Sequence, residues 1–300
     1  MNANSALLLN QRADLASRAL PPLLVEAERI AATVIQGIHG RKRAGPGESF
    51  WQYRPYGFGD STSRIDWRKS ARSAHVFIRE NEWEAANTLW LWSNPSTSMD
   101  FKSHLSNVTK RDRAYLLALA LASLAVRAHE RVGLLGGPQR PGHARGALAP
   151  MATWLLQNEG GRLPVAQQLQ RFSTAVLISD FYDPVAEIET AIRSLAGRGV
   201  SGHIVQVVDP AEEALPYVGR VEFRDMDGPL KFLAGKTENL REAYVEKFRG
   251  HREAVRKIAG SLQWTFTVHH TDQSPARLLM SLHGLIGGAK SRAFDFGRAP

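Results

Sequence analysis

Short apolar runs alternate with longer amphipathic segments along most of this chain, and that alternation limits the folds it can adopt. Apolar runs of this kind are typical of buried strands, whereas the amphipathic segments have the period of helices. Strands that alternate with helices form a parallel sheet with helices on both faces. We therefore predict an α/β fold with a doubly wound, mostly parallel sheet. The predicted strands are Val76–Arg79, Thr88–Trp92, Val132–Leu135, Thr174–Ser179, His203–Val208 and Trp264–His269, and the predicted helices span 108–130, 150–158, 184–196, 236–260 and 274–286.

The other segments predict additions to this sheet. Residues 11–38 have a helical pattern that is interrupted at Pro21-Pro22, because proline does not continue a helix interior. Residues 40–73 are rich in glycine, arginine and aromatic residues without a clear period, so we expect an extended loop region there. A shorter β-rich elaboration is expected over 217–234. We divide the chain into an N-terminal helix with an irregular segment (1–80), the α/β domain (81–290) and a C-terminal tail (291–300).

Composition excludes several classes of protein. The chain has no Cys, which excludes a disulfide framework, a thiolate nucleophile and a cysteine zinc site. The longest nearly continuous apolar stretch, Tyr115–Val126, is shorter than the roughly 20 residues of a membrane span, and no secretory signal is visible. We expect a soluble, cytoplasmic protein. The net charge of +9 is compatible with nucleic acid, an anionic membrane surface or an acidic protein partner.

Oxygen-bearing side chains follow the predicted strands at their carboxyl ends. Asn94, Ser96 and Ser98 follow the strand that begins at Thr88, and Asp180 follows the strand Thr174–Ser179. Ligands of open α/β sheets bind beyond these ends, and oxygen ligands suit Mg²⁺. The alternative is structural, because the same residue types form turns and cap helices.

A dense motif lies between Gly47 and Glu80. Its elements are Gly47-Glu48-x-Phe50, Arg54-x-Tyr56, Gly59-Asp60, Arg64-x-Asp66-Trp67 and Ala71-Arg72. In this order and spacing the motif closely resembles the signature of the bacterial domain-of-unknown-function family number 58, and the resemblance extends over about residues 37 to 210. That family resembles a branch of the von Willebrand factor A superfamily, which implies a von Willebrand factor A-like, Rossmann-like sheet.

The resemblance also implies a metal-ion-dependent adhesion site. In better-preserved relatives, an Asp-x-Ser-x-Ser loop and a later Asp coordinate a divalent ion. Ser96 and Ser98 match the two serines and Asp180 matches the later Asp, but Asn94 stands where the first Asp is expected. The loss of one negative charge implies a degenerate site with reduced affinity for Mg²⁺. The family further implies a MoxR-type AAA+ ATPase as partner.

The motif segment is both basic and aromatic, which leaves two interpretations open. Its cations and rings could contact phosphates and stack on bases, as in a nucleic-acid-binding protein. The favoured alternative is internal: the aromatic rings pack beneath the segment, and its arginines pair with Asp60 and Asp66. These arginines are Arg54, Arg64, Arg68 and Arg72. The cluster Arg41-Lys42-Arg43 is the part most expected to be exposed, where it could bind an acidic partner.

Together these features predict a non-catalytic protein-interaction module with a degenerate adhesion-type site. A nucleic-acid-binding protein that uses Arg41–Arg72 is one alternative. A metal-dependent hydrolase is the other, but the sequence has no second acid/base pair at motif-level spacing to support it.

Overall fold

A five-stranded parallel sheet forms the centre of the α/β unit. The structure is a computed structural model, and it describes residues 22–35, 50–57, 62, 65–73, 75–81, 88–158, 160–166 and 169–295. The sheet strands are β3 (Thr88–Ser93), β4 (Arg131–Leu134), β5 (Thr174–Ser179), β6 (Ser201–Val208) and β9 (Thr265–His270). This confirms the predicted α/β class with its parallel sheet.

The strand order creates a switch point in the middle of the sheet. The strands lie in the order β4-β3-β5-β6-β9, and every neighbouring pair is parallel. The chain leaves β3 to build β4 on one side and then returns to build β5 on the other side. Crossovers of opposite direction leave a crevice between β3 and β5 at their carboxyl ends, which is where such sheets bind ligands.

Helices cover both faces of the sheet. They are α1 (22–35), α3 (Lys110–Arg127), α4 (Leu148–Gln157), α5 (Val185–Ala196), the short α6 (Pro210–Ala214), α7 (Glu238–Ser261) and α8 (Pro275–Asp295). In β3 the side chains of Leu89 and Leu91 belong to the core cluster that contains α1, α3, α4 and α8. The alternate side chains of Trp90 and Trp92 belong to the cluster that contains α5 and α7. This period of two is what a strand buried on both faces requires.

Two elements fall outside the central sheet. The β-rich region predicted over 217–234 is a separate antiparallel hairpin of β7 (Val221–Arg224) and β8 (Lys231–Ala234). The region expected to be an irregular loop contains a strand, β1 (Phe50–Pro55), which pairs antiparallel with β2 (Phe77–Asn81). That expectation was therefore wrong for β1. A short helix, α2 (Trp67–Ser70), lies between these two strands in the chain.

Contacts divide the chain into two compact units. One comprises Met1–His39 and Asn87–Pro300, and the other comprises Gly40–Ala86. The sequence prediction instead grouped 1–80 together. Helix α1 belongs with the sheet because its Ala31 and Val34 are fully buried in the core cluster that contains Leu89. Within the described ranges, no helix has both the length and the apolar content needed to cross a membrane.

Two histidines are buried in neighbouring strands, which makes stability sensitive to acid. His203 in β6 and His269 in β9 are almost fully buried, and burial lowers the pKa of each to about 4. Nδ1 of His203 lies 2.7 Å from the Thr265 hydroxyl oxygen, whereas its Nε2 has no hydrogen-bond partner among the residues that the structure describes. Both rings are therefore neutral in the folded protein at neutral pH.

We predict that the free energy of unfolding falls as the pH drops from about 6.5 to about 4. In this window the unfolded chain binds protons that the folded chain does not, at a cost of about 3 kcal/mol for each histidine. The variant His203→Gln, which does not titrate, should lose part of this dependence in urea unfolding curves measured across the window. An identical pH dependence in the variant and the wild type would contradict the assignment.

Candidate functional site

The predicted oxygen-bearing residues meet at the switch point between β3 and β5. Asn94 follows β3. The Ser96–Ser98 loop overlaps a short 3₁₀ turn over Thr97–Asp100, and Ser96 caps that turn. Asp180 follows β5. The Ser98 hydroxyl donates a hydrogen bond of 2.8 Å to Oδ2 of Asp180, and Oγ of Ser96 lies 2.9 Å from Oγ of Ser98. The sequence therefore identified four residues that form one cluster.

Asn94 organises the loop through its amide group. Its Oδ1 accepts a hydrogen bond of 2.9 Å from the backbone N–H of Ser96. Its Nδ2 donates to the Ser179 hydroxyl at 3.0 Å and faces Oδ1 of Asp180 at 3.5 Å. An amide suits this position because it donates on one side and accepts on the other. An aspartate here would place a second carboxylate beside buried Asp180.

A lysine ammonium group lies at the centre of the cluster. Nζ of Lys110, the first residue of α3, is 3.0 Å from Oδ2 of Asp180 and 2.6 Å from Oε1 of Glu212. The Lys110 side chain is fully buried, and Nζ also lies 4.6 Å from the centre of the Tyr182 ring. Burial alone would lower the pKa of Lys110, but the charges of Asp180 and Glu212 outweigh it and raise this pKa above its ordinary value. The group is therefore a buried cation.

Lys110, Asp180 and Glu212 form a triad of charges, and local structure fixes the position of the Glu212 carboxylate. Asp209 caps α6, and its side chain accepts a hydrogen bond of 2.9 Å from the backbone N–H of Ala211. Glu212 completes a capping box, because its Oε2 accepts a hydrogen bond of 3.0 Å from the N–H of Asp209. The other oxygen of Glu212 is left for Lys110. A capping box thus orients the group that pairs with the ammonium.

The side chains present do not fit a divalent cation. The carboxylate of Asp180 already bonds to Lys110 and Ser98, so a metal ion there would lie next to a positive charge. In the part of the chain that the structure describes, no group of three or more His, Cys, Asp or Glu side chains is arranged to hold a metal. The Mg²⁺ binding expected from the sequence stays an untested prediction, and the contacts of Asp180 with Lys110 and Ser98 argue against it.

The loop also contacts the tip of the β7–β8 hairpin. Oδ2 of Asp227 accepts a hydrogen bond of 2.7 Å from the Ser96 hydroxyl, and Oδ1 accepts from the Thr97 hydroxyl and, at 3.1 Å, from the Ser98 N–H. Partial burial would raise the pKa of Asp227, but these hydrogen bonds and the nearby Arg162 guanidinium lower it below its ordinary value. Asp227 is therefore a carboxylate at neutral pH.

The family-signature residues lie in the Gly40–Ala86 unit, and the structure describes some of them. Asp66 caps α2 by accepting a hydrogen bond of 2.9 Å from the Lys69 N–H. Trp67 is 66% exposed, so its ring is not packed beneath the segment as expected, and Tyr56 and Arg72 are also exposed. Arg54 lies in β1. The predicted residues Gly59, Asp60, Arg64, Arg41, Lys42 and Arg43 lie outside the described residues.

Sequence reasoning missed three charged residues of the site. Lys110 begins a helix of mostly apolar residues, and its sequence gives no sign that it points into the core. Glu212 had a usable signal, because Asp209-x-x-Glu212 has the spacing of a capping box. Asp227 lies in an Asp-Met-Asp-Gly sequence that indicates only a turn.

We predict that Lys110→Met lowers the free energy of unfolding by about 3–5 kcal/mol, because it leaves two buried carboxylates without their cation. Urea unfolding followed by circular dichroism measures this loss. Lys102→Met, which changes an exposed lysine nearby in sequence, is the matched control and should shift stability by less than about 0.5 kcal/mol. Equal stability of the two variants would rule out a paired, buried Lys110.

Comparison with solved structures returns two bacterial proteins of low similarity. One is the conserved hypothetical protein BatB from Bacteroides thetaiotaomicron, with 11% identity, a TM-score of 0.39 and coverage of 67% of this chain and 99% of that chain. The other is described as an aerotolerance-related membrane protein from Bacteroides fragilis, with 15% identity, a TM-score of 0.35 and coverage of 64% of this chain and 96% of that chain.

Comparison with sequences shows a nearer relationship. The uncharacterized proteins Rv1480 of Mycobacterium tuberculosis and Mb1516 of Mycobacterium bovis are each 29% identical to this chain over 245 residues, which is 76% of this chain and 76% of theirs. The family model described as "Protein of unknown function DUF58" matches residues 52–254, which include the β3 and β5 edges, Lys110 and Asp227. This chain belongs to the DUF58 family.

Proposed function

We propose that this chain is a protein-interaction module that binds its partner at the Ser96–Ser98 loop and acts without catalysis. The observation that carries the proposal is the support beneath the loop. The Ser98 hydroxyl donates a hydrogen bond to buried Asp180, and Asp180 forms an ion pair with buried Lys110. These buried groups fix the geometry of the loop. Thr97, at the top of the loop, is exposed. A rigid, donor-rich loop loses little conformational entropy when it binds, which favours affinity.

The chemistry of the cluster supports binding rather than turnover. The ammonium of Lys110 is fully buried and bonds to two carboxylates, so it supplies structure at this edge. The hydroxyls of Ser96 and Ser98 bond to carboxylates, and among the described residues no histidine is one of their partners. These contacts hold charges in fixed pairs, whereas general acid–base catalysis needs a group that can exchange a proton with a substrate.

The partner class and the location come from the family resemblance. A MoxR-type AAA+ ATPase is the partner that we propose, and the cytoplasm is the compartment in which the two would meet. The loop lies at the carboxyl edge of the sheet, where α/β folds place their variable binding surfaces.

We predict that Thr97→Trp weakens binding to a purified MoxR-type ATPase by about tenfold or more, because the indole would cover the loop donors. Thr190→Trp makes the same change at an exposed position of α5 and should bind as the wild type does. Biolayer interferometry with the ATPase immobilised gives both affinities. Equal affinity of Thr97→Trp and the wild type would contradict docking at this loop, and no binding by the wild type would remove the ATPase as partner.

A further inference from the structure

The short helix α2 and the turn after it present an aromatic ring and three cations to solvent. Trp67 is 66% exposed, and Arg68, Lys69 and Arg72 are exposed as well. The guanidinium groups of Arg68 and Arg72 form no ion pair with any residue that the structure describes, Asp66 included, contrary to the internal pairing expected for them. Exposed guanidinium groups without a carboxylate partner are available to an anion from another molecule.

Hydrogen bonds to β2 determine which side of α2 faces outward. The Asp66 N–H donates to the carbonyl oxygen of Phe77 at 2.9 Å, and the Phe77 N–H donates to the Ser70 hydroxyl at 2.9 Å. Ser70 is half-buried and therefore points towards β2. Arg68 and Arg72 are four residues apart, so they lie together on another side of this helical turn.

A second ring lies at the same end of the β1–β2 sheet. Tyr56, which follows β1, is 38% exposed, and its N–H donates to the carbonyl oxygen of Val76 at 2.8 Å. Val76 precedes Phe77, the residue to which α2 is bonded, so Tyr56 and α2 are attached to adjacent residues at the start of β2. We call these exposed side chains the α2 surface. The α2 surface consists of Tyr56, Trp67, Arg68, Lys69 and Arg72.

Exposed rings and unpaired arginines on one short segment fit single-stranded nucleic acid. An unpaired base offers a flat face that stacks on an aromatic ring, and arginine binds the phosphates that flank it. A duplex hides these faces, so an exposed ring would add little there. An anionic membrane is a poorer match, because an interfacial helix needs a broad apolar face, whereas the exposed side chains of α2 are one ring and two cations.

We propose that the α2 surface binds single-stranded nucleic acid. A base stacks on the Trp67 ring, and Arg68 and Arg72 bond the neighbouring phosphates. The net charge of +9 adds a long-range attraction for a polyanion. The α2 surface lies in the Gly40–Ala86 unit and the Ser96–Ser98 loop lies in the other unit, so this proposal can succeed or fail independently of the proposed function.

The test measures binding of the full chain to fluorescent single strands of about ten nucleotides, by anisotropy at about 50 mM salt. Oligouridine and oligothymidine distinguish RNA from DNA, which share the chemistry of a base between phosphates. An abasic strand with the same number of phosphates distinguishes stacking from charge alone. Sedimentation with vesicles of phosphatidylcholine and about 30% phosphatidylserine tests the membrane as the alternative partner.

Variants of the ring test the stacking contact. Trp67→Ala should weaken binding by about tenfold or more, which is 1.4 kcal/mol or more, because the platform for one base is lost. Trp67→Phe keeps an aromatic ring and should retain most of the affinity. Phe172→Ala removes a ring that is 80% exposed in the other unit, and as the matched control it should bind as the wild type does.

Variants of the arginines test the phosphate contacts. The double variant Arg68→Ser, Arg72→Ser should make the slope of log affinity against log salt shallower by about 1.4, since each phosphate contact on a single strand contributes about 0.7. The double variant Lys247→Ser, Arg249→Ser removes the same charge from exposed positions of α7 and should leave the slope unchanged.

Each outcome decides the proposal. Binding that weakens in Trp67→Ala and for the abasic strand, with both controls unchanged, supports a stacking surface for single strands. The proposal is overturned if the wild type does not bind, if normal and abasic strands bind equally, or if Trp67→Ala binds as the wild type does while its circular dichroism shows an intact fold. Tighter binding to the vesicles than to the strands, lost in Trp67→Ala, would assign the α2 surface to an anionic membrane instead.

Discussion

The buried ion triad of Lys110, Asp180 and Glu212 is the interaction on which the site depends. Three separate segments of the chain meet there: the start of α3, the end of β5 and the first turn of α6. An ammonium group that is buried away from solvent is stable only when carboxylates compensate its charge. Both carboxylates and Lys110 must therefore be in place before the Ser96–Ser98 loop has its geometry. The triad couples the folding of the sheet edge to the shape of the loop above it.

Asn94 belongs to the same arrangement. In an adhesion-type site an aspartate at this position would help to neutralise a divalent ion, and here the neutral amide bonds Ser96 and Ser179 instead. The amide of Asn94 and the presence of Lys110 are chemically consistent, since a monovalent cation needs less negative charge around it than a divalent one. In the structure, the cation that neutralises Asp180 is the Lys110 ammonium.

The loop directs several of its hydrogen-bond donors away from Asp180. With Asp180 occupied by Lys110 and Ser98, the remaining donors of the loop point outward, to the Asp227 carboxylate and the Met226 carbonyl. The buried side chains below the loop hold its geometry through Asp180 and Lys110.

The sheet could be predicted from the sequence because each strand is a local apolar run, and β5 was placed at its observed bounds, Thr174–Ser179. The positions of the strand ends and the family resemblance also predicted which residues cluster, namely Asn94, Ser96, Ser98 and Asp180. The contact between Ser96 and Asp227 could not be predicted, because 131 residues separate them and only the folded hairpin brings them together. Strand β1 was missed because its short alternation, Trp51-Gln52-Tyr53-Arg54, lies within a stretch rich in glycine, arginine and aromatic residues that has no clear period as a whole.

If Lys110 is the resident cation of this edge, the wild type has the same thermal unfolding midpoint in Mg²⁺ and in EDTA, and comparing these two midpoints tests its role most directly. A bound ion at about 100 times its dissociation constant would stabilise the fold by about 2.7 kcal/mol. A midpoint that rises in Mg²⁺, falls back in EDTA and does not respond in Asp180→Ala would show that a divalent ion, and not Lys110 alone, neutralises Asp180.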